Sequence, residues 1–232
     1  MLMPSDKDYK STKKIKENVS KIKEEFELLA HWIDQKYAVK TYNILFDYMD
    51  KSKSRPRLQI CLEFARDKGK FMERMGNFDK NKQKEIAEKF REITSTIKTA
   101  YKPSHFKKLF GLRYRNDNLH IYFTEFESIA KTEANNSIPK KEIEKLQKAL
   151  NNPELWKISR AFYGVTYFLH TNEQLKKYED SEIHKKWSEQ YFELLKKHDE
   201  FGYFKKAAFR VHLDSKENFD NNYESNWYYY YK

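Results

Sequence analysis

Two hydrophobic periods coexist in this chain, and they constrain its fold more than any other feature. Tyr42, Ile44, Phe46 and Tyr48 alternate with less apolar neighbours, as do Leu58, Ile60, Leu62 and Phe64. Alternation puts one face of a strand toward a core, and the turn-like Asp50 to Pro56 makes the two runs a hairpin. On either side the spacing changes to three and four. Ile15, Val19, Ile22, Phe26, Leu29 and Ile33 lie on one stripe of a helix predicted over Lys10 to Tyr37, with Ser11 or Thr12 capping its start. Ile86, Phe90, Ile93 and Ile97 form the core face of a second helix, Asp79 to Thr99, which Pro103 ends.

The remaining segments follow the same two periods. Asp67 to Asn77, with Gly69 and Gly76, reads as a loop. Lys107 to Phe126 reads as a second hairpin turning at Asn116-Asp117, with Phe110, Leu112 and Tyr114 on one face and Gly111, Arg113 and Arg115 on the other. A linker with Asn135, Asn136 and Ser137 leads into a short helix whose first turn holds Pro139 and whose end precedes Pro153. The last third is expected to hold a strand from Arg160 to His170 and a helix from Ser181 to about His198, with Ile183, Trp187, Tyr191 and Leu194 or Leu195 inward. A final strand pair, AAFRVHL and NWYYYY, would set Trp227, Tyr229 and Tyr231 on one side and Tyr228 and Tyr230 on the other.

The fold class is therefore α+β: an N-terminal amphipathic helix followed by two strand-helix-hairpin units. The expected divisions are an N-terminal helix (1–38), a basic α+β unit (39–130), a helical linker (131–153) and a second α+β unit with an aromatic C-terminal strand (154–232). Phe106-Lys107-Lys108 matches Phe204-Lys205-Lys206 ahead of each terminal hairpin, so the units are either a degenerate internal repeat or a chance match of three residues. The N-terminal helix packs on its own domain or, alternatively, joins two subunits of a homodimer.

Charge is distributed unevenly. Lys51 to Asn116 holds 19 Lys and Arg against 7 Asp and Glu, whereas residues 1–50 carry 9 of each sign and Asp117 to Lys232 carries 18 basic against 19 acidic. With 37 Lys and 9 Arg the chain is rich in lysine throughout, yet seven of the nine arginines fall in the middle segment. Guanidinium groups fit phosphate and carboxylate as a fork of donors. On strands of one sheet, Arg57, Arg113 and Arg115 would share the face away from the core, with Lys53, Arg55, Lys68, Lys70, Arg74, Lys102, Lys107 and Lys108 around them. Tyr101 and Phe106 would stack on unpaired bases. The alternative is that Arg57, Arg113 and Arg115 pair with Glu63, Glu125 or Asp47 and solvate the sheet.

Catalytic signatures are sparse. Asp214-Ser215-Lys216 follows Val211, His212 and Leu213, as in a metal-dependent nuclease, but no second carboxylate stands on a neighbouring strand of the pattern, and a tight turn before a Lys216 to Asn226 loop suits Asp214 better. His120, His170 and His212 fall on predicted strands and would converge in a shared sheet, with Glu125 or Asp214 completing a metal site, though none has ligand spacing. No phosphate-cradling glycine loop or nucleophile elbow is present, so no cofactor is expected. The single Cys61 excludes an internal disulfide framework, and no apolar run suits secretion or a membrane span, which makes the cytoplasm the expected compartment. The expected function is binding of DNA, RNA or another polyanion through residues 51–116 without covalent catalysis. An inhibitor or immunity protein of an acidic effector is the first alternative, and a metal-dependent nuclease built on Asp214 and Lys216 the second.

Overall fold

A computed structural model describes residues 3–73, 76–100 and 119–232. The architecture is α+β, in two compact units, Met1–Glu127 and Ser128–Lys232, each built on its own three-stranded sheet.

In unit 1, β1 (Thr41–Tyr48) pairs antiparallel with β2 (Pro56–Leu62), which pairs parallel with β3 (His120–Glu125). Alternation sends Ile44, Leu58, Ile60, Leu62, Ile121 and Phe123 to one face, where they bury against Phe26, Leu29 and Ile33 of α2 (Glu24–Tyr37) and Ile86, Phe90 and Ile93 of α4 (Lys80–Ala100). The short α3 (Ala65–Gly69) follows β2, in a segment expected to be loop. The opposite face takes α1 (Lys7–Lys16). There the buried Asn43 amide donates to Thr12 Oγ1 at 3.1 Å, and Tyr9 stacks on Phe126 with ring centroids 5.1 Å apart.

The single N-terminal helix expected from the stripe is thus two. Asn18 sits at φ 58°, a left-handed conformation that asparagine tolerates better than most residues, and the amides of Val19 and Asn18 donate to Lys14 O and Ile15 O. This Schellman pattern satisfies the last carbonyls of α1 and stops it. Val19, read as core, is 71% exposed.

Unit 2 contains α5 (Glu127–Ser137), α6 (Lys140–Leu150), β4 (Leu155–Ala161), β5 (Gly164–Leu169), α7 (Asn172–Tyr178), α8 (Glu182–Lys196), β6 (His212–Ser215), α9 (Lys216–Tyr223) and α10 (Trp227–Tyr230). Ile158, Val165, Tyr167, Leu169 and Val211 bury against Ile143 of α6 and Trp187, Tyr191 and Leu195 of α8. Phe168 faces the other way, into an aromatic cover of Phe219, Trp227 and Tyr230.

Several expectations change in this unit. Asn135, Asn136 and Ser137 end α5 instead of forming a linker, and Pro139 stands just before α6. Arg160 to His170 is no single strand but the end of β4, the turn and the second arm of the β4–β5 hairpin. Ile183, expected inside α8, is 45% exposed. The final strand pair reduces to β6: Ser215 caps α9, where a loop was expected, and Asn226 caps α10, so the aromatic run is helical. A capping side chain that accepts an early amide outweighs the strand preference of tyrosine.

The two sheets share strand order and strand directions, and each has a register irregularity next to the first pair of its hairpin, at Thr41/Asn43 and at Leu155/Lys157. Each hairpin is followed by a short helix, a long helix and the parallel third strand. Residues 106–108 of the three-residue match, and the first arm and turn of the expected second hairpin, lie outside the described residues.

Candidate polyanion-binding groove

The break after α1 places a group of lysines together. As the chain reverses through the Schellman turn, Ser20 N–H also donates to Lys14 O at 3.1 Å, which lays residues 20–23 beside the last turns of α1. The resulting groove, of about 320 Å³, is lined by Lys7, Lys10, Lys14, Lys21 and Lys23, with Ser11, Ser20, Ile15, Asn43 and Leu45. No carboxylate lines it, and among the described residues none of the five ammonium groups makes an ion pair. All five side chains are exposed, so their charge acts in solvent and is screened by salt. The rim is held from beneath. Lys16 Nζ bonds to Tyr42 and to Glu63 Oε1, and Asn43 bonds to Thr12, which ties α1 to the sheet.

The residues singled out from sequence are placed differently. Arg57, on β2, forms a two-pronged ion pair with Asp47 on β1 and lies over the Tyr122 ring, 5.0 Å from its centroid. Arg55 pairs with Asp50 at 3.3 Å in the hairpin turn, where Lys53 is exposed at φ 57°. Lys70 donates to Ala38 O at 2.6 Å, beyond the C-terminus of α2, and pairs with Asp67 at 3.4 Å. Lys68 is half-buried near the end of α3. Arg74, Tyr101, Lys102, Phe106, Lys107, Lys108, Arg113 and Arg115 lie outside the described residues. The two arginines on the described hairpin are therefore matched to carboxylates, whereas Lys7, Lys10, Lys14, Lys21 and Lys23 share one groove without an ion pair among the described residues, a grouping that charge counting passed over because residues 1–50 sum to zero.

The remaining chemical candidates are occupied structurally. The Asp214 carboxylate accepts from Ser215 N–H, Asn218 Nδ2 and, at 2.5 Å, the Tyr230 hydroxyl, while Lys216 pairs with Asp220. This carboxylate joins β6 to α9 and α10. His120 belongs to one sheet and His212 to the other, with His170 just after β5, so among the described residues no shared sheet brings them together. Among the described residues no three His, Cys, Asp or Glu side chains are grouped to hold a metal ion. Burial pushes the Cys61 thiol up to about 11, a poor nucleophile. Among the described residues no helix is long and apolar enough to cross a membrane.

Comparison with family models, with curated proteins and with solved structures gives no match to this chain.

Proposed function

We propose that unit 1 binds a nucleic acid or another polyanion, without covalent catalysis, by seating a run of phosphates or similar anions along the groove of Lys7, Lys10, Lys14, Lys21 and Lys23. One observation carries this: five unpaired lysines line one concavity that contains no carboxylate. Ammonium groups act on phosphate as point charges and position a backbone without reading bases. The positive balance of Lys51 to Asn116, 19 basic against 7 acidic residues, adds attraction that steers a polyanion toward the unit.

The test is a mobility-shift titration of the full chain with mixed DNA, RNA and inorganic polyphosphate at low salt, repeated with Lys10→Glu/Lys14→Glu. A shift that the double variant weakens at least tenfold supports the proposal. Absence of any shift overturns it and points to an acidic protein as the ligand class. A shift that the variant leaves intact moves the site out of the groove.

A further inference from the structure

At the tip of the β4–β5 hairpin, Phe162 and Tyr163 are 44% and 50% exposed. Among the described residues neither ring touches another aromatic ring. Phe162 holds φ 53°, where a two-residue hairpin turn ordinarily takes Gly or Asn. A bulky residue there is strained by roughly 1 kcal/mol or more. The turn is nevertheless fixed from below, because the fully buried Asn135 donates through Nδ2 to Phe162 O and Gly164 O, both at 3.0 Å. Arg160 is committed to the same support, donating to Asn135 O and Ile138 O near the end of α5. An exposed aromatic pair on a strained turn, held by a buried amide, is presented rigidly to solvent.

Beside this tip lies a cavity of about 220 Å³ lined by Tyr163, Tyr203, Phe204, Lys131, Lys205, Arg210 and His212, again with no carboxylate. Arg210 is exposed, and among the described residues its only bond is to the neighbouring Phe209 carbonyl, so most of its donor fork is unspent there. Lys205 bonds to Gly202 O at 2.7 Å and keeps further donors. Lys131 sits 5.6 Å from the centre of the Phe204 ring, which shows that this wall already accommodates a cation over an aromatic face. The volume suits one heteroaromatic ring. Aromatic faces interleaved with cations are what unpaired bases and their phosphates require.

We propose that this cavity is a second nucleic-acid site, in which an unpaired base stacks on Tyr163 and the adjoining phosphate is held by Arg210 and Lys205. It takes its ligand class from the polyanion reading of unit 1 but uses none of the same residues. Single-stranded nucleic acid is the ligand, since a duplex keeps its bases stacked on each other.

The experiment compares a fluorescent single-stranded oligonucleotide with an abasic strand of equal length by anisotropy, using the full chain. The base-bearing strand should bind roughly tenfold more tightly, the yield of one stacked base. Tyr163→Ala should abolish that preference and leave abasic binding unchanged, and Tyr163→Phe should restore it. Arg210→Ala should weaken both strands several-fold. Equal binding of the two strands, or a preference that survives Tyr163→Ala, overturns the inference even if both strands bind. Base preference in a Lys10→Glu/Lys14→Glu variant whose overall affinity is unchanged upholds this site while the groove of unit 1 fails, and the same preference at weakened overall affinity upholds both. Binding of neither strand overturns both.

Discussion

The Tyr191 hydroxyl donates to Asn135 Oδ1 at 2.7 Å, and both side chains are fully buried. Because Asn135 Nδ2 holds the turn carbonyls of the β4–β5 hairpin, one amide couples α8 to the exposed tip. Tyr191→Phe removes a donor and leaves a buried acceptor unsatisfied, at an expected cost of about 1–3 kcal/mol. Asn135→Ala should cost more, since it also strips the turn of its support. Denaturant unfolding in a Trp32→Phe background checks both, because Trp156, Trp187 and Trp227 then report on unit 2 alone.

Neutralising the groove of unit 1 should alter the salt dependence of binding more than the fold. For polyanion release, log K falls with log salt by roughly 0.9 per duplex phosphate contacted. Lys10→Gln/Lys14→Gln should flatten that slope by about 2 while changing stability by less than about 0.5 kcal/mol, as is usual for exposed sites. Titrations at several salt concentrations measure the slope, and an unchanged slope would place the contacts elsewhere.

The strands β1 and β2, Ile86, Phe90 and Ile93 of α4 and Trp187, Tyr191 and Leu195 of α8 were legible because each set shows one clean period. What periodicity missed was decided by single residues. Asn18 ends a helix whose apolar stripe runs on past it, since a left-handed turn leaves spacing untouched. The β4–β5 turn was invisible because Phe162 occupies a station that normally announces itself with Gly or Asn. Tyrosines at 228–231 suggested a strand, but Asn226 accepts Tyr228 N–H and starts a helix. The lysine groove was hidden for a related reason: Asp6, Asp8, Glu17 and Glu24 cancel its charge in a sum, yet none of them lines it. Net charge reports composition, whereas a ligand meets only the side chains that share a surface.

Alkali should destabilise unit 1. Burial raises the Cys61 thiol from 9.0 to about 11, and burial raises the Tyr122 phenol from 10.0 to about 12 despite Arg57 beside it. Groups whose folded values exceed their unfolded ones contribute stability that is complete below the unfolded value and lost as pH rises through the folded one. The loss should therefore begin near pH 9 and reach roughly 2 kcal/mol for Cys61 alone by about pH 11. Unfolding curves of the chain and of Cys61→Ala check this: the variant should start less stable but decline less steeply between those pH values. Thiol labelling of the folded chain should be slow throughout.

Glu127 and Glu217 occupy matching stations in the two units. Each follows the parallel third strand in the first turn of a helix, and each carboxylate reaches the short helix that follows the hairpin: Glu127 Oε2 accepts Ala65 N–H at 3.1 Å, and Glu217 Oε2 accepts Asn172 N–H at 2.9 Å. The first amide of a helix has no partner within it, and negative charge near that end is favourable. Glu127→Ala and Glu217→Ala should each cost about 1 kcal/mol, with the glutamine variants recovering about half because an oxygen acceptor remains without the charge. Glu217→Ala is read by tryptophan fluorescence in the Trp32→Phe background, and Glu127→Ala by faster labelling of buried Cys61. If the alanine and glutamine variants lose equal stability at both positions, the carboxylates act through charge alone. If neither alanine variant loses any, these bonds do not hold the short helices, and the matching stations carry no energetic weight.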